Sequence, residues 1–182
     1  LRISGLLVVQ NGGYSAKPYQ PAGYWKHLNF PKRKWNHDNG ENQYRRGLYT
    51  FWCRTFLHPS MLAFDAPSRE ECSAERSRSN TPQQALVLLN DPTYVEAARV
   101  FAERILQNGG DSDEARLEWA FKRALSRKPL DEERTILLGL VKSQLEQYSG
   151  NIEVAKHAAT AGQWPVANVL KPEAVAAWSS VS

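Results

Sequence analysis

His58, Ser60 and Asp65 stand within eight residues of one another, and their types are those of a base, a nucleophile and an orienting acid. Triads are assembled in space from distant positions, so closeness along the chain gives that reading no support. His58-Pro59 reads instead as the end of a preceding helix. Asp65, Glu70, Glu71 and Asp91 are the types that hold a hard cation, but such ions want several oxygens at a fixed loop spacing that this stretch lacks. Caps and salt bridges account for them. His58 and Met61, the chain's single Met, are haem-iron ligand types. No Cys-x-x-Cys-His attachment motif accompanies them, so Met61 reads as core. Neither a metal nor a cofactor is expected in this chain.

The densest polar stretch, Asp65 to Asn80, sets Arg69, Arg76 and Arg78 among Asp65, Glu70, Glu71 and Glu75, directly before a helix start at Thr81. One reading is an anion pocket of Arg forks and backbone donors. The favoured reading is an ion-pair network that fixes an irregular connector. A second cluster comprises Trp25, Lys32, Arg33, Lys34 and Trp35, with Tyr19, Tyr24, Lys17 and Lys26 nearby. Aromatic faces stack on sugar rings while Lys and Arg attract sulfate or carboxylate, so this mixture suits an acidic polysaccharide. The favoured outcome is that the rings bury in this domain's own core and the charges face an acidic partner domain.

Elements must hold those residues in place. At 182 residues the chain is long enough for one domain that buries about 70% of its unfolded surface. Its 42% hydrophobic content argues against disorder. The apolar stretches, such as Leu6 to Val9 and Ala85 to Leu89, are far too short for a bilayer. Net charge is +4, unevenly spread: residues 1–60 carry nine Lys/Arg against two Asp/Glu, and residues 61–182 fourteen against seventeen. Such asymmetry suits a surface that meets anions. Two cysteines are too few for a disulfide scaffold or a four-ligand zinc site.

Residues 10–45 are dense in Gly, Pro, Asn and Tyr and read as irregular, anchored by Tyr19, Tyr24 and Trp25 packing inward. Tyr44 to Phe56 suits a short buried helix through Leu48, Phe51, Trp52 and Thr55. From Thr81 onward the chain is helical. Thr81-Pro82 with Gln84 forms a capping box, and Ala85 to Leu89 is an apolar run that buries the helix. Asp91-Pro92 restarts the chain, with Val95, Ala98, Phe101 or Ala102, and Ile105 on one face. Ser112-Asp113-Glu114 opens a helix with Leu117, Phe121 and Leu125 inward. Asp131-Glu132-Glu133 opens another with Leu137, Val141, Leu145 and Tyr148 inward. Pro172-Glu173 starts the last. The spacing predicts helices near 82–89, 92–107, 113–125 and 131–148. The fold class is therefore mainly α: an irregular, aromatic N-terminal third packed on four to five helices. Residues 1–182 read as one domain, with 1–60 the basic irregular segment and 81–182 the helical part. The chain starts Leu1-Arg2-Ile3-Ser4 without a leader and stops at Ser182 inside a helical pattern, so it reads as a fragment of a larger multidomain protein.

The block TFLHPSMLAFDAPSREECSAERSRSNTPQQALVLLNDPTYVEAARVFAERIL resembles the signature of the C-terminal planctomycete-specific domain of cytochrome c-like proteins, domain of unknown function 1553. GGYSAKPYQPAGYW and YRRGLYTFWCRT resemble its upstream blocks, WAFKRALSRKPLDEER its downstream helices and EAVAAWSSVS its closing helix. The resemblance implies a large secreted or periplasmic parent protein. In that protein an upstream domain is the partner, and a haem or a glycan-binding-like module sits elsewhere in the polypeptide. It also implies a setting of sulfatases and polysaccharide breakdown. The family supplies no catalytic residues to carry over. Leu130 stands where relatives often have a capping Thr, which points to a frayed helix start. Cys53 stands where relatives more often have Lys or Gln. In an oxidising compartment Cys53 and Cys72 have two outcomes. One is a disulfide closing a loop of about twenty residues, worth roughly 3 kcal/mol. The other is two separate thiols.

The leading reading is a non-catalytic structural or interaction module that packs on the upstream domains of the same protein, with an acidic polysaccharide as a further ligand. The alternative is an enzyme, either a polysaccharide hydrolase or a redox protein with its haem on another domain. A cleft uniting His58, Asp65 and the Arg cluster would favour the enzyme; mutually paired side chains favour the module. Nucleic-acid binding comes third, because the implied secreted location argues against it.

Overall fold

Thr81-Pro82 begins a helix in the way its residues dictate: Gln84 Oε1 accepts the Thr81 backbone N–H at 3.4 Å, and Pro82 occupies the first turn, where no donor is missed. The computed structural model describes residues 1–27, 32, 34–53, 56–68, 70–75, 77–167 and 169–182. Arg33, Arg69 and Arg76 lie outside the described residues. Seven α-helices follow in order among the described residues: α1 Pro59–Ala63, α2 Pro82–Asn90, α3 Pro92–Asn108, α4 Asp113–Leu125, α5 Asp131–Ser149, α6 Ile152–Ala159 and α7 Pro172–Ser179. Among the described residues strand character is confined to isolated parallel bridges at Val8–Arg45 and Ala16–Thr50. The mainly α class and the four expected helices are therefore observed. The chain divides into two compact units, one of Leu1–Leu6 with Val95–Ser182, the other of Leu7–Tyr94.

In the first unit the core gathers Phe101, Ala102, Ile105, Leu117, Ala120, Val141 and Trp178. α7 contributes the most deeply buried run, Val175 to Trp178, each at 2% exposure or less. α6, not anticipated from the sequence, starts at Asn151, whose Oδ1 accepts the Val154 N–H. It turns Ala155 and Ala159 inward, and such small side chains let it approach α7 closely. Ser112 caps α4 through the Ala115 N–H. Leu125, expected inward, is 55% exposed, because it lies in the last turn just before Ser126 leaves the helix in a left-handed conformation. The expected fraying at Leu130 is also corrected. Glu133 accepts the Leu130 N–H at 2.8 Å and pairs with both Arg127 Nη atoms at 2.7 Å, so a carboxylate three residues on replaces the missing cap.

In the second unit a segment too rich in Gly and Pro for a strand ladder is held by buried polar side chains bonded to backbone. Arg45, 7% exposed, donates to the carbonyls of Gln10, Gly12 and Tyr14 and lies over the Tyr49 ring. Gly12 and Gly13 there take φ of 74° and 85°, which a side chain would resist. Gln43 Oε1 accepts the Tyr19 N–H at 2.9 Å, and Asp38 Oδ2 accepts the Lys17 N–H at 2.8 Å.

Three expectations fail in this unit. The described residues of Tyr44–Phe56, which leave out Thr55, do not form an α-helix: 3-10 turns at Gly40–Tyr44 and Gly47–Tyr49 give way to backbone bonded to the N-terminal stretch, with the Ala16 N–H reaching Tyr49 O and the Phe51 N–H reaching Ala16 O. His58-Pro59 starts α1 rather than ending a helix, because Pro suits the first helical position. The apolar run of α2 is not buried: Leu86, Leu88 and Leu89 are 57%, 51% and 72% exposed.

Candidate functional site

Trp25 and Trp35 are brought together by the irregular segment, and their rings stack with centroids 5.3 Å apart and planes at 15°. Phe56 closes on Trp25 and Phe51 on Trp35, so much of each indole face is taken up inside the protein. Both ring N–H groups are also held internally. Trp25 Nε1 donates to Gln20 Oε1 and Trp35 Nε1 to the Pro18 carbonyl at 2.9 Å. The pair is thus largely core, with Trp25 buried and Trp35 half-buried.

Beside the stack lies a cavity of about 490 Å³ lined by Tyr19, Gln20, Trp25, Lys26, Lys34 and Trp35, among others. Lys26, Lys32 and Lys34 are exposed. Trp25, Lys34 and Trp35, named from sequence, thus meet at one cavity. Lys32 is not part of the lining, which Tyr19, Gln20, Lys26, Asn36 and His37 share. Gln20 carried no sequence signal, since a buried Gln looks like any other polar residue in a Pro-rich stretch.

His58 is only 6% exposed and faces Trp35 edge-on. Its Nε2–H donates to the Tyr19 carbonyl at 2.9 Å, which leaves Nδ1 as a buried acceptor with no partner among the described residues. Burial pushes the imidazole pKa below its ordinary value, against the opposing pull of that carbonyl and of Asp91. Ser60 Oγ donates instead to Asp91 Oδ2 at 2.8 Å, and Asp91 Oδ1 caps α3 through the Thr93 N–H. Asp65 is engaged elsewhere again. Its carboxylate accepts from the Ser79 N–H at 2.7 Å and the Ser79 hydroxyl at 2.8 Å. These bonds hold its carboxyl below the usual range. Its φ of 55° is a strained left-handed value that the anchored loop sustains.

His58, Ser60 and Asp65 are therefore tied to three different partners. Arg78 is exposed, and Asp65 pairs with no arginine among the described residues. Cys53 and Cys72 are free thiols, the first half-buried and the second exposed on the connector. Among the described residues no three His, Cys, Asp or Glu side chains are grouped to hold a metal ion. None of the described helices is long and apolar enough to cross a membrane.

A charged cluster that sequence reasoning missed lies on α3. Glu96, Arg99 and Glu103 are 5%, 1% and 6% exposed. Arg99 Nη1 meets Glu103 Oε1 at 2.6 Å, while Nε and Nη2 reach the carbonyls of Ala161 and Trp164 at 2.8 Å each. Glu96 Oε1 accepts the N–H groups of Gln163 and Trp164 at 2.5 and 2.6 Å. Gly162, with φ 97°, lies so close to Glu96 that any side chain there would collide with the carboxylate. The cluster clamps the loop between α6 and α7. The available signal was the i, i+3, i+7 spacing that sets Glu96, Arg99 and Glu103 on one face among the apolar residues of α3.

The model of the PSD1 family, described as a protein of unknown function (DUF1553), matches residues 1–141, well over half of the chain. The chain belongs to that family. No curated protein matches it, and no solved structure does.

Proposed function

We propose that this chain is a non-catalytic interaction domain of a larger secreted or periplasmic protein, docking an acidic surface of an upstream domain through its basic first sixty residues. The observation that carries this reading is the separate engagement of the chemistry-bearing side chains. His58 is spent on Tyr19, Ser60 on Asp91 and Asp65 on Ser79, so these three side chains do not meet as a nucleophile, a base and an orienting acid. The aromatic rings of the first third meanwhile pack on one another, and Lys26, Lys32, Lys34 and Arg46 are exposed. Charges presented from an ordered aromatic base suit steering and register with an acidic partner. A link to polysaccharide breakdown and to a haem carried on another domain belongs to the same proposal and rests on the resemblance alone.

The test is binding of the 182-residue chain to the separately produced upstream region. The double variant Lys32→Glu/Arg46→Glu, which alters exposed residues only, should weaken binding and flatten its salt dependence. Equal affinity for the variant and the parent chain would count against docking through this face.

A further inference from the structure

Gln20 keeps only 5% of its surface exposed and still lines the cavity beside the tryptophan stack. An indole N–H can only donate, so the oxygen of the Gln20 amide must be the atom facing Trp25 Nε1, 2.5 Å away. That contact fixes the orientation of the amide. Nε2 is left as a donor with no protein acceptor among the described residues. Lys26 and Lys34 bring two ammonium groups to the same lining, neither paired with a carboxylate among the described residues. Among the described residues no Asp or Glu lines the cavity. Gln20, Lys26 and Lys34 bring donors and positive charge to it beside Asn36 and His37, and Tyr19, Trp25 and Trp35 supply its aromatic lining. Its volume, about 490 Å³, lies within the range of about 300–1,000 Å³ found for small-molecule pockets.

We infer that this cavity binds a small carboxylate carried on a flat aromatic ring. The ring lies against Tyr19 and the part of Trp35 left exposed, and the carboxylate accepts from Gln20 Nε2 and the two ammonium groups. A sugar acid is the competing occupant: Asn36 and His37 can accept from its hydroxyls, but its puckered ring covers less of the aromatic lining than a flat one. The inference stands apart from the docking reading, because Lys32 and Arg46, which test docking, do not line the cavity.

The experiment is calorimetric titration of the whole 182-residue chain at low salt with 2-naphthoate, alongside the neutral 2-naphthalenemethanol, glucuronate and dextran sulfate. Expected is saturable binding of one naphthoate per chain, with the neutral analogue and glucuronate weaker. Lys26→Ala/Lys34→Ala should lose about tenfold or more in affinity, the scale of forfeited charge-assisted hydrogen bonds. Both lysines are exposed, so that variant should keep its fold, checked by circular dichroism. Gln20→Leu, if it folds, should lose affinity for naphthoate and not for its neutral analogue. No saturable heat with naphthoate up to millimolar concentration would overturn the assignment. So would unchanged affinity in the double lysine variant, or tighter binding of glucuronate. Binding of dextran sulfate alone, with naphthoate inert, would also overturn it and assign the charge to the surface instead.

Discussion

At Arg99 the chain buries a full positive charge to 1% exposure and surrounds it with one carboxylate and two backbone carbonyls. A charge so placed contributes little net stability while its partners are present, but removing one side strands the other in a low dielectric. Arg99→Met should therefore cost about 3–5 kcal/mol in urea unfolding. It should also speed amide exchange in residues 161–167, where Arg99 holds the carbonyls of Ala161 and Trp164; a loss below about 1 kcal/mol with exchange unchanged would refute the clamp. His58 gives a prediction in pH. Its folded pKa lies below the ordinary 6.5, so the unfolded chain takes up the proton first as the solution is acidified. The contribution of His58 is complete above about pH 6.5 and is lost as the pH falls through its folded value. Thermal melts from pH 8 to 5 should fall less steeply in His58→Gln, which keeps a donor for the Tyr19 carbonyl. A slope unchanged by that substitution would contradict a buried neutral imidazole.

Among the elements, α2 departs most from its sequence. Leu86, Leu88 and Leu89 read as a burying run and prove exposed. Leu89→Ser should accordingly change stability by no more than about 0.5 kcal/mol, as surface substitutions do. A cost of about 2–5 kcal/mol, the penalty of emptying a core site, would show that the leucine is buried after all. Helix starts were the most legible feature, because a cap is a local device: Thr81 with Gln84, Asp91 and Ser112 each act within four residues of their own position. Leu130 was misread for the complementary reason. Its cap comes from Glu133 braced by Arg127, a pairing that no single residue type announces. α6 escaped notice because alanines carry its buried face, and their hydropathy is too weak to stand out. Tyr44–Phe56 looked helical by spacing alone, while tertiary hydrogen bonds from Ala16 decide its backbone. At the cavity the aromatics and lysines were legible as types. Gln20 was not, because its role depends on which atom of its amide the Trp25 ring claims.

Over the whole molecule the excess of positive charge falls in the first sixty residues, nine Lys/Arg against two Asp/Glu, while the remainder is slightly acidic. Arg45 and the stacked rings are consumed by the fold of their own unit, so the basic groups left facing solvent are the ones available to a partner. Family membership places the chain among proteins of unknown function. The most direct measurement is hydrogen–deuterium exchange on this chain alone and within the longer polypeptide that the docking proposal supposes. Docking through the basic face predicts slower exchange in the longer protein for residues 17–46, with the difference shrinking as salt is raised past a Debye length of about 8 Å. Identical exchange across residues 17–46 in the two forms, at low and at high salt, would contradict the account.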